Sequence, residues 1–170
     1  KAAVEMSTLY LRELTSQTIG HFQTSLSAQF SQLRTAVNAV SGRDLQSQNT
    51  VADFLSQVQE YNHFSFLAFL DDHGAYHSAD GIFPAASKIS FIGKLLDEED
   101  NLVSYDETVS GDNMFLLGTS ISPVSFGDRT FIAVLAGLEA DTLNQQLSLE
   151  KKDAQTYSSI VTRAGSYIIN

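Results

Sequence analysis

Phe64-Ser65-Phe66-Leu67-Ala68-Phe69-Leu70-Asp71-Asp72-His73-Gly74-Ala75-Tyr76-His77-Ser78-Ala79-Asp80-Gly81 is the stretch that decides the fold. Its first seven residues are short, apolar and rich in aromatic side chains, which predicts a strand. Asp71-Asp72-His73-Gly74 then supplies turn residues, and Gly74 takes the positive φ of a tight turn without a steric penalty. Residues 75–79 read as the return strand, closed by the Asp80-Gly81 turn signal. A hairpin therefore sits near the middle of the chain.

On the C-terminal side, residues 82–96 carry Phe83-Pro84, Phe91-Ile92 and Leu95-Leu96 without a clean period. They read as short helical turns and loop lying over a sheet. Asp97-Glu98-Glu99-Asp100-Asn101 reads as a solvated acidic loop. Three more strands are expected at 102–108, 114–122 and 130–138, the last two joined by Phe126-Gly127-Asp128-Arg129. Asp141 stands where an N-cap would for a short helix over 142–152, with Leu143 and Leu147 inward and Lys151-Lys152 complementing the C-terminal dipole.

On the N-terminal side the period changes. Ile19, Phe22, Leu26, Phe30, Leu33, Val37 and Val40 recur at a mean step of 3.5 residues, which places all seven on one stripe of a helix. From Met6 to Val40 no proline and one glycine, Gly20, interrupt the run. A helix of about 35 residues is roughly 50 Å long, more than a small domain core covers, so part of it projects or pairs with a second copy. Ser41-Gly42 breaks it. A second helix is expected over 50–61, with Val51, Phe54, Leu55 and Val58 on one face.

The chain has 170 residues, 43% of them apolar and 10% aromatic, enough for a real core. No apolar run approaches the roughly 20 residues that cross a bilayer, and no signal peptide is present in these residues. Twenty acidic against ten basic side chains give a formal charge of −10, which argues against nucleic acid as a partner. The charge is local: thirteen Asp or Glu face two Lys, Lys88 and Lys94, between Asp44 and Asp112. Residues 14–33 carry no Lys, Arg, Asp or Glu at all. The absence of cysteine excludes disulfides, thiolate catalysis and Cys-ligated metals.

A search for catalytic chemistry is negative. There is no phosphate-binding glycine loop, and Gly118-Thr119-Ser120-Ile121-Ser122 lacks the second glycine of a nucleophile elbow. Asp71, Asp72, His73, His77 and Asp80 crowd one hairpin, yet strand alternation prevents all five from converging on a metal, and a solvated turn is the expected outcome. In 97–107, acidic enough for a calcium loop, Leu102 stands where glycine is required. No catalytic residues, metal ligands or cofactor are assigned.

The resulting fold class is α+β: a long N-terminal helix followed by a five-stranded antiparallel sheet flanked by helices. Three parts are expected: a helical stalk and second helix over 1–62, a sheet module over 63–153, and a terminal segment over 154–170. In that last segment Ser159-Ile160-Val161-Thr162-Arg163-Ala164-Gly165-Ser166-Tyr167-Ile168-Ile169 repeats the strand, turn and strand plan of 68–78, with Gly165 and Tyr167 each 91 residues after Gly74 and Tyr76. It reads either as the first hairpin of a second module or as an extra edge ribbon.

The uncharged Gln/Ser/Thr helix, the hairpin from Phe69 to Gly81, the run Phe131-Ile132-Ala133-Val134-Leu135-Ala136-Gly137-Leu138 and the closing segment 160–170 together resemble the extracytoplasmic Cache sensor domains. These are PAS-like modules of bacterial transmembrane receptors, and the resemblance covers most of the chain from Thr8 onward. It implies a ligand-sensing domain on the periplasmic or cell-surface face of the plasma membrane, flanked in the parent by transmembrane helices. It also implies an output of histidine kinase, diguanylate cyclase or chemotaxis type; the 3.5-residue repeat of the N-terminal helix reads either as a core helix with a frayed N-terminal end or as the seam of a homodimer. It further implies a small-molecule ligand held between the sheet and the capping segment 82–96. The candidate ligand-binding residues are Tyr76, Asp80, Phe83, Phe91, Tyr105 and Thr119: tyrosine and threonine hydroxyls to orient the ligand, phenylalanines to bury it. The chain departs from the amino-acid-binding signature of that family, having no tryptophan and no arginine between Arg43 and Arg129, so no α-carboxylate clamp of that type is implied. The alternative from another class is a domain without ligand that serves dimerisation or partner docking.

Overall fold

The structure, a computed structural model, describes the backbone of residues 2–40, 45–84, 95, 101–107, 112–143, 160–161 and 167–169. These divide into two compact units, residues 30–140 and residues 1–29 with 141–170. Helix α1, Ala2–Asn38, runs through both and has 37 residues, about 55 Å of helix. Its apolar stripe changes character along its length: Ile19 is exposed and Phe22 and Leu26 are half-buried, whereas Phe30, Leu33 and Val37 are buried.

In the unit 30–140, helix α2 spans Gln48–Asn62. A reciprocal capping box starts it: the Ser47 hydroxyl accepts from the Thr50 amide at 3.3 Å, and Thr50 Oγ1 accepts from the Ser47 amide at 3.0 Å. It ends at His63, a non-glycine residue in the left-handed region at φ 58°, whose cap lets the Phe64 amide donate to the Gln59 carbonyl. The chain then enters the sheet.

Six antiparallel strands form that sheet in the order β3-β2-β1-β6-β5-β4. They are β1 Phe66–Asp71, β2 Tyr76–Ser78, β3 Gly81–Phe83, β4 Asn101–Glu107, β5 Asn113–Phe126 and β6 Arg129–Leu138. The count exceeds the expected five because Gly81, at φ 138°, turns the chain back and pairs Phe83 with Tyr76. Residues 81–83 are therefore an edge strand rather than the start of helical turns. Strand β5 is also longer than expected, running through Pro123. That proline has no N–H to donate and lies within the register shift between Ser120 and Val124 that interrupts the β5–β6 ladder. The β5–β6 hairpin closes as expected, with Gly127 at φ 60° in the first position of its two-residue loop.

Register sorts the sheet residues onto two faces. Ala68, Leu70, Tyr76, Phe83, Leu102, Met114, Leu116, Ala133 and Leu135 pack on one face, together with Leu95. Phe69, His77, Phe131, Leu117, Val134 and Thr119 lie on the other, the face that meets α2: Phe54 stacks on Phe69 with ring centroids 6.2 Å apart. Leu95 lies in the expected capping segment, whose residues 85–94 and 96–100 lie outside the described residues.

In the other unit the chain is helical at 141–143, the start of the helix expected over 142–152, and Leu143 is buried. Residues 144–152 lie outside the described residues. The C-terminal repeat forms a separate two-stranded antiparallel sheet, β7 Ile160–Val161 with β8 Tyr167–Ile169.

Candidate functional site

The β1–β2 hairpin presents polar groups to both faces of the sheet, and the two faces do different things. On the face carrying Leu95, Tyr76 is fully buried. Its ring meets Phe66 edge-on at 6.0 Å and Phe83 at 5.6 Å between centroids. Its hydroxyl is buried with no hydrogen-bond partner among the described residues. Burial raises the Tyr76 phenol above its ordinary value, so it stays a neutral O–H. A buried hydroxyl left unpaired costs about 1–3 kcal/mol.

On the α2 face the same hairpin is closed by Asp71, which is fully buried. Its Oδ1 accepts from the backbone amides of His73 at 3.0 Å and Ala75 at 2.8 Å, holding the turn through Gly74 at φ 80°. Its Oδ2 accepts from Arg129 Nη1 at 2.6 Å and faces His77 Nε2 at 2.9 Å. His77 Nδ1 lies 3.1 Å from Gln48 Oε1, at the first residue of α2. Phe126 and Phe131 wall the imidazole at 5.8 and 4.9 Å between centroids, both near-perpendicular to it. Burial pushes the Asp71 carboxyl up, but hydrogen bonds from His77, Arg129, Ala75 and His73 outweigh it and hold the group below the usual carboxylate value. The hydrogen bond to Asp71 raises Arg129.

Donor atoms of Asp71, Asp72 and His73 all lie within 4.8 Å of one another, close enough to bracket a metal ion. Both Asp71 oxygens are already engaged, and the Arg129 guanidinium beside them repels a second cation. The hairpin chemistry is therefore that of an ion-paired clamp. Asp72, His73 and Asp80 are exposed, as in the solvated turn expected from the sequence, whereas Asp71 and His77 depart from it, because alternation that separates Tyr76 from His77 brings Asp71 and His77 together, buried, on one face.

The six candidate ligand residues separate in the same way. Tyr76 and Phe83 are in ring contact on the Leu95 face. Asp80 is exposed in the β2–β3 turn, its amide donating to Ser78 Oγ at 3.2 Å. Phe91 lies outside the described residues. Thr119 and Tyr105 face the helices instead, because β4 and β5 pair Tyr105 with Phe115 and Asn101 with Thr119. Thr119 is fully buried and donates to Asn101 Oδ1 at 2.9 Å, while Arg34 on α1 donates to Thr119 Oγ1 at 3.4 Å and to Asn101 Oδ1 at 3.0 Å. Tyr105 packs its ring 5.1 Å from that of Phe115. The sequence reading missed the Asp71, His77, Arg129 and Gln48 cluster. Pairing Phe69 with His77 across the hairpin would have placed Asp71 on the same face as His77.

No family model matches the chain, and no curated relative does. Solved structures do match. The sensory domain of the Campylobacter jejuni chemoreceptor Tlp3, with isoleucine bound, superposes with a TM-score of 0.61 at 10% identity over 92% of this chain and 66% of that one. The ligand-binding domain of the Pseudomonas aeruginosa amino-acid chemoreceptor PctC, in complex with GABA, gives 0.60 at 16% identity, over 95% of this chain and 74% of that one. The Escherichia coli DcuS sensor domain gives 0.54 at 19% identity, over 75% and 98%. This chain spans just under two thirds of the length of the Campylobacter domain.

Proposed function

We propose, from a fold shared with the Cache, PAS-like ligand-binding sensor domains of bacterial chemoreceptors and DcuS, that this chain is an extracytoplasmic ligand-sensing domain of a bacterial transmembrane receptor, of kinase, cyclase or chemotaxis output. It would bind a small molecule on the sheet face that carries Tyr76 and Phe83, with no catalysis of its own. The observation that carries the reading is the Tyr76 hydroxyl, buried in an apolar cluster without a partner. A ligand polar group would pair with it, Phe83 and the capping segment with Phe91 would cover the ligand's apolar part, and Asp80 would sit at the rim.

The sensor domains this chain resembles have amino acids or GABA bound in two of the three cases above. Here the aromatic pair Tyr76 and Phe83 favours a ligand with an apolar portion. No helix among the described residues is long and apolar enough to cross a membrane, so anchoring would come from segments outside them. Residues 154–170 would begin a second module, and α1 would pair with its copy in a homodimer.

A thermal-shift screen of amino acids, amines, short carboxylic acids and nucleobases tests the reading. A ligand at 100 times its dissociation constant adds about 2.7 kcal/mol. Binding that survives Tyr76→Phe unchanged would remove Tyr76 from the site. A domain that responds to no ligand while still dimerising would favour the docking alternative.

A further inference from the structure

Resting on the reading of the Tyr76 face as the ligand site, we propose that the group a ligand sets against the Tyr76 hydroxyl is an uncharged oxygen acceptor, a carbonyl, ether or hydroxyl, carried on an apolar body. The strands supply no cation there. All six together hold one arginine, Arg129, one histidine, His77, and no lysine. Both belong to the opposite face, where Asp71 Oδ2 meets them at 2.6 and 2.9 Å. Arg34 of α1 is also committed away from Tyr76, to Thr119 and Asn101. Nor do the strands place an anion there: Asp71 is on the opposite face, and Asp106 and Glu107 stand in β4, at the other end of the sheet order from β2.

Polar partners around the hydroxyl are as scarce. Every other described member of its cluster is apolar. Ser78 shares the face, pairing with Ala68 across the hairpin, but its hydroxyl donates to the Gly81 carbonyl at 3.4 Å and accepts from the Asp80 amide at 3.2 Å. Among the described residues of the six strands, the Tyr76 hydroxyl is the one buried side-chain group without a partner.

One hydroxyl selects against charge. A carboxylate has about four acceptor sites and an ammonium three donors, so a single O–H leaves most of either buried unpaired together with the charge. A carbonyl or ether oxygen is satisfied by one O–H. Burial keeps the Tyr76 phenol protonated, so it donates, and no phenolate is present to receive an ammonium. The aromatic rings are engaged with one another: Phe66 meets the Tyr76 ring edge-on and Phe83 lies tilted against it. The wider field disfavours an anion as well, because thirteen acidic residues stand against Lys88 and Lys94 between Asp44 and Asp112.

Three probes of one shape test the proposal on the intact chain: para-methylacetophenone, para-toluate and para-toluamidinium, which place a neutral, an anionic and a cationic group on the same tolyl body. Binding is read from the methyl NMR signals of Ala68, Leu70 and Leu135, which lie on the Tyr76 face. The ketone is expected to shift them and to bind about tenfold or more tighter than either ion, the scale of one buried polar group left unpaired. Tyr76→Phe should weaken the ketone by about tenfold, the scale of one hydrogen bond. Either ion binding as tightly as the ketone would overturn the proposal while leaving the ligand site in place. Unchanged ketone affinity in Tyr76→Phe would overturn the role of the hydroxyl. No shift of these methyls by any probe up to its solubility limit would instead remove the ligand site itself, and the proposal with it.

Discussion

Tyr76 and His77 are consecutive in β2 and face opposite sides of the sheet: Tyr76 lies in the apolar cluster with an unpaired hydroxyl, and His77 lies against Asp71 and the first residue of α2. One short strand thereby joins the proposed ligand face to the helical face.

Tyr76→Phe should therefore have effects of opposite sign on the free and liganded protein. Removing a buried hydroxyl that has no partner relieves its desolvation cost, so the free domain should gain about 1 kcal/mol, equivalent to roughly 2–4 °C in Tm for a chain of this size. The ligand-induced thermal shift should shrink in the same variant. A free protein that is destabilised instead would show that the hydroxyl already has a partner.

Asp71 gives a pH prediction. Its carboxyl is held below the ordinary value of 3.8 in the folded state, so the folded form binds the proton more weakly than the unfolded form. The stability it contributes is complete above 3.8 and is lost as pH falls below it towards the folded-state value. Urea unfolding of the wild type over that window should show a loss that Asp71→Asn lacks. At neutral pH the variant should also be less stable by about 1.5–3 kcal/mol, the range for one hydrogen bond to a charged group. An identical acid profile in the two proteins would rule out Asp71 as the source.

How far the sequence reaches is clear from particular residues. The 3.5-residue step from Ile19 to Val37 and the Gly74 and Gly127 turns are local signals, and α1 and both hairpins follow them. Strand β3 was not legible, because three residues beginning in glycine carry no periodicity and only the pairing of Phe83 with Tyr76 makes them a strand. The grouping of Tyr105 and Thr119 with Tyr76 failed because a residue's face depends on strand register. Register is set by pairing across the sheet, Tyr105 to Phe115 and Thr119 to Val134, and is not written in either strand alone. The tie from Arg129 to Asp71 spans 58 positions and closes only after β6 has docked on β1.

Gly137 tests the packing where β6 meets β1 and β5. It pairs with Phe66 on one side and Leu116 on the other, and a Cβ placed on it would run into Met114 Sδ and come within 2.8 Å of Phe66 Cβ. Met114 is flexible and can yield, but the Phe66 Cβ is fixed by the strand. Gly137→Ala should therefore destabilise by about 1–3 kcal/mol, as overpacking does, even though alanine suits a strand better than glycine. Gly20→Ala is the control: nothing lies within 4 Å of a Cβ there, and the change should stabilise the helix by about 0.5–1 kcal/mol.

Arg34 ties α1 to the sheet. It sits on the α1 segment that belongs to the sheet unit, exposed, and reaches Thr119 Oγ1 and Asn101 Oδ1 on β5 and β4. Thr119 keeps its own bond to Asn101 at 2.9 Å when Arg34 is removed, so no buried group is orphaned. Arg34→Ala should then cost no more than about 1 kcal/mol of stability, as one exposed hydrogen-bonding side chain does. Ligand affinity should be unchanged, because Thr119 and Asn101 face away from Tyr76. If the sheet moves α1 through this tie, spin labels at exposed Ser27 in a dimer should report a ligand-dependent change of distance in the wild type and a smaller one in Arg34→Ala. An equal change in both would assign the coupling to the apolar contacts of Leu33 and Val37 instead.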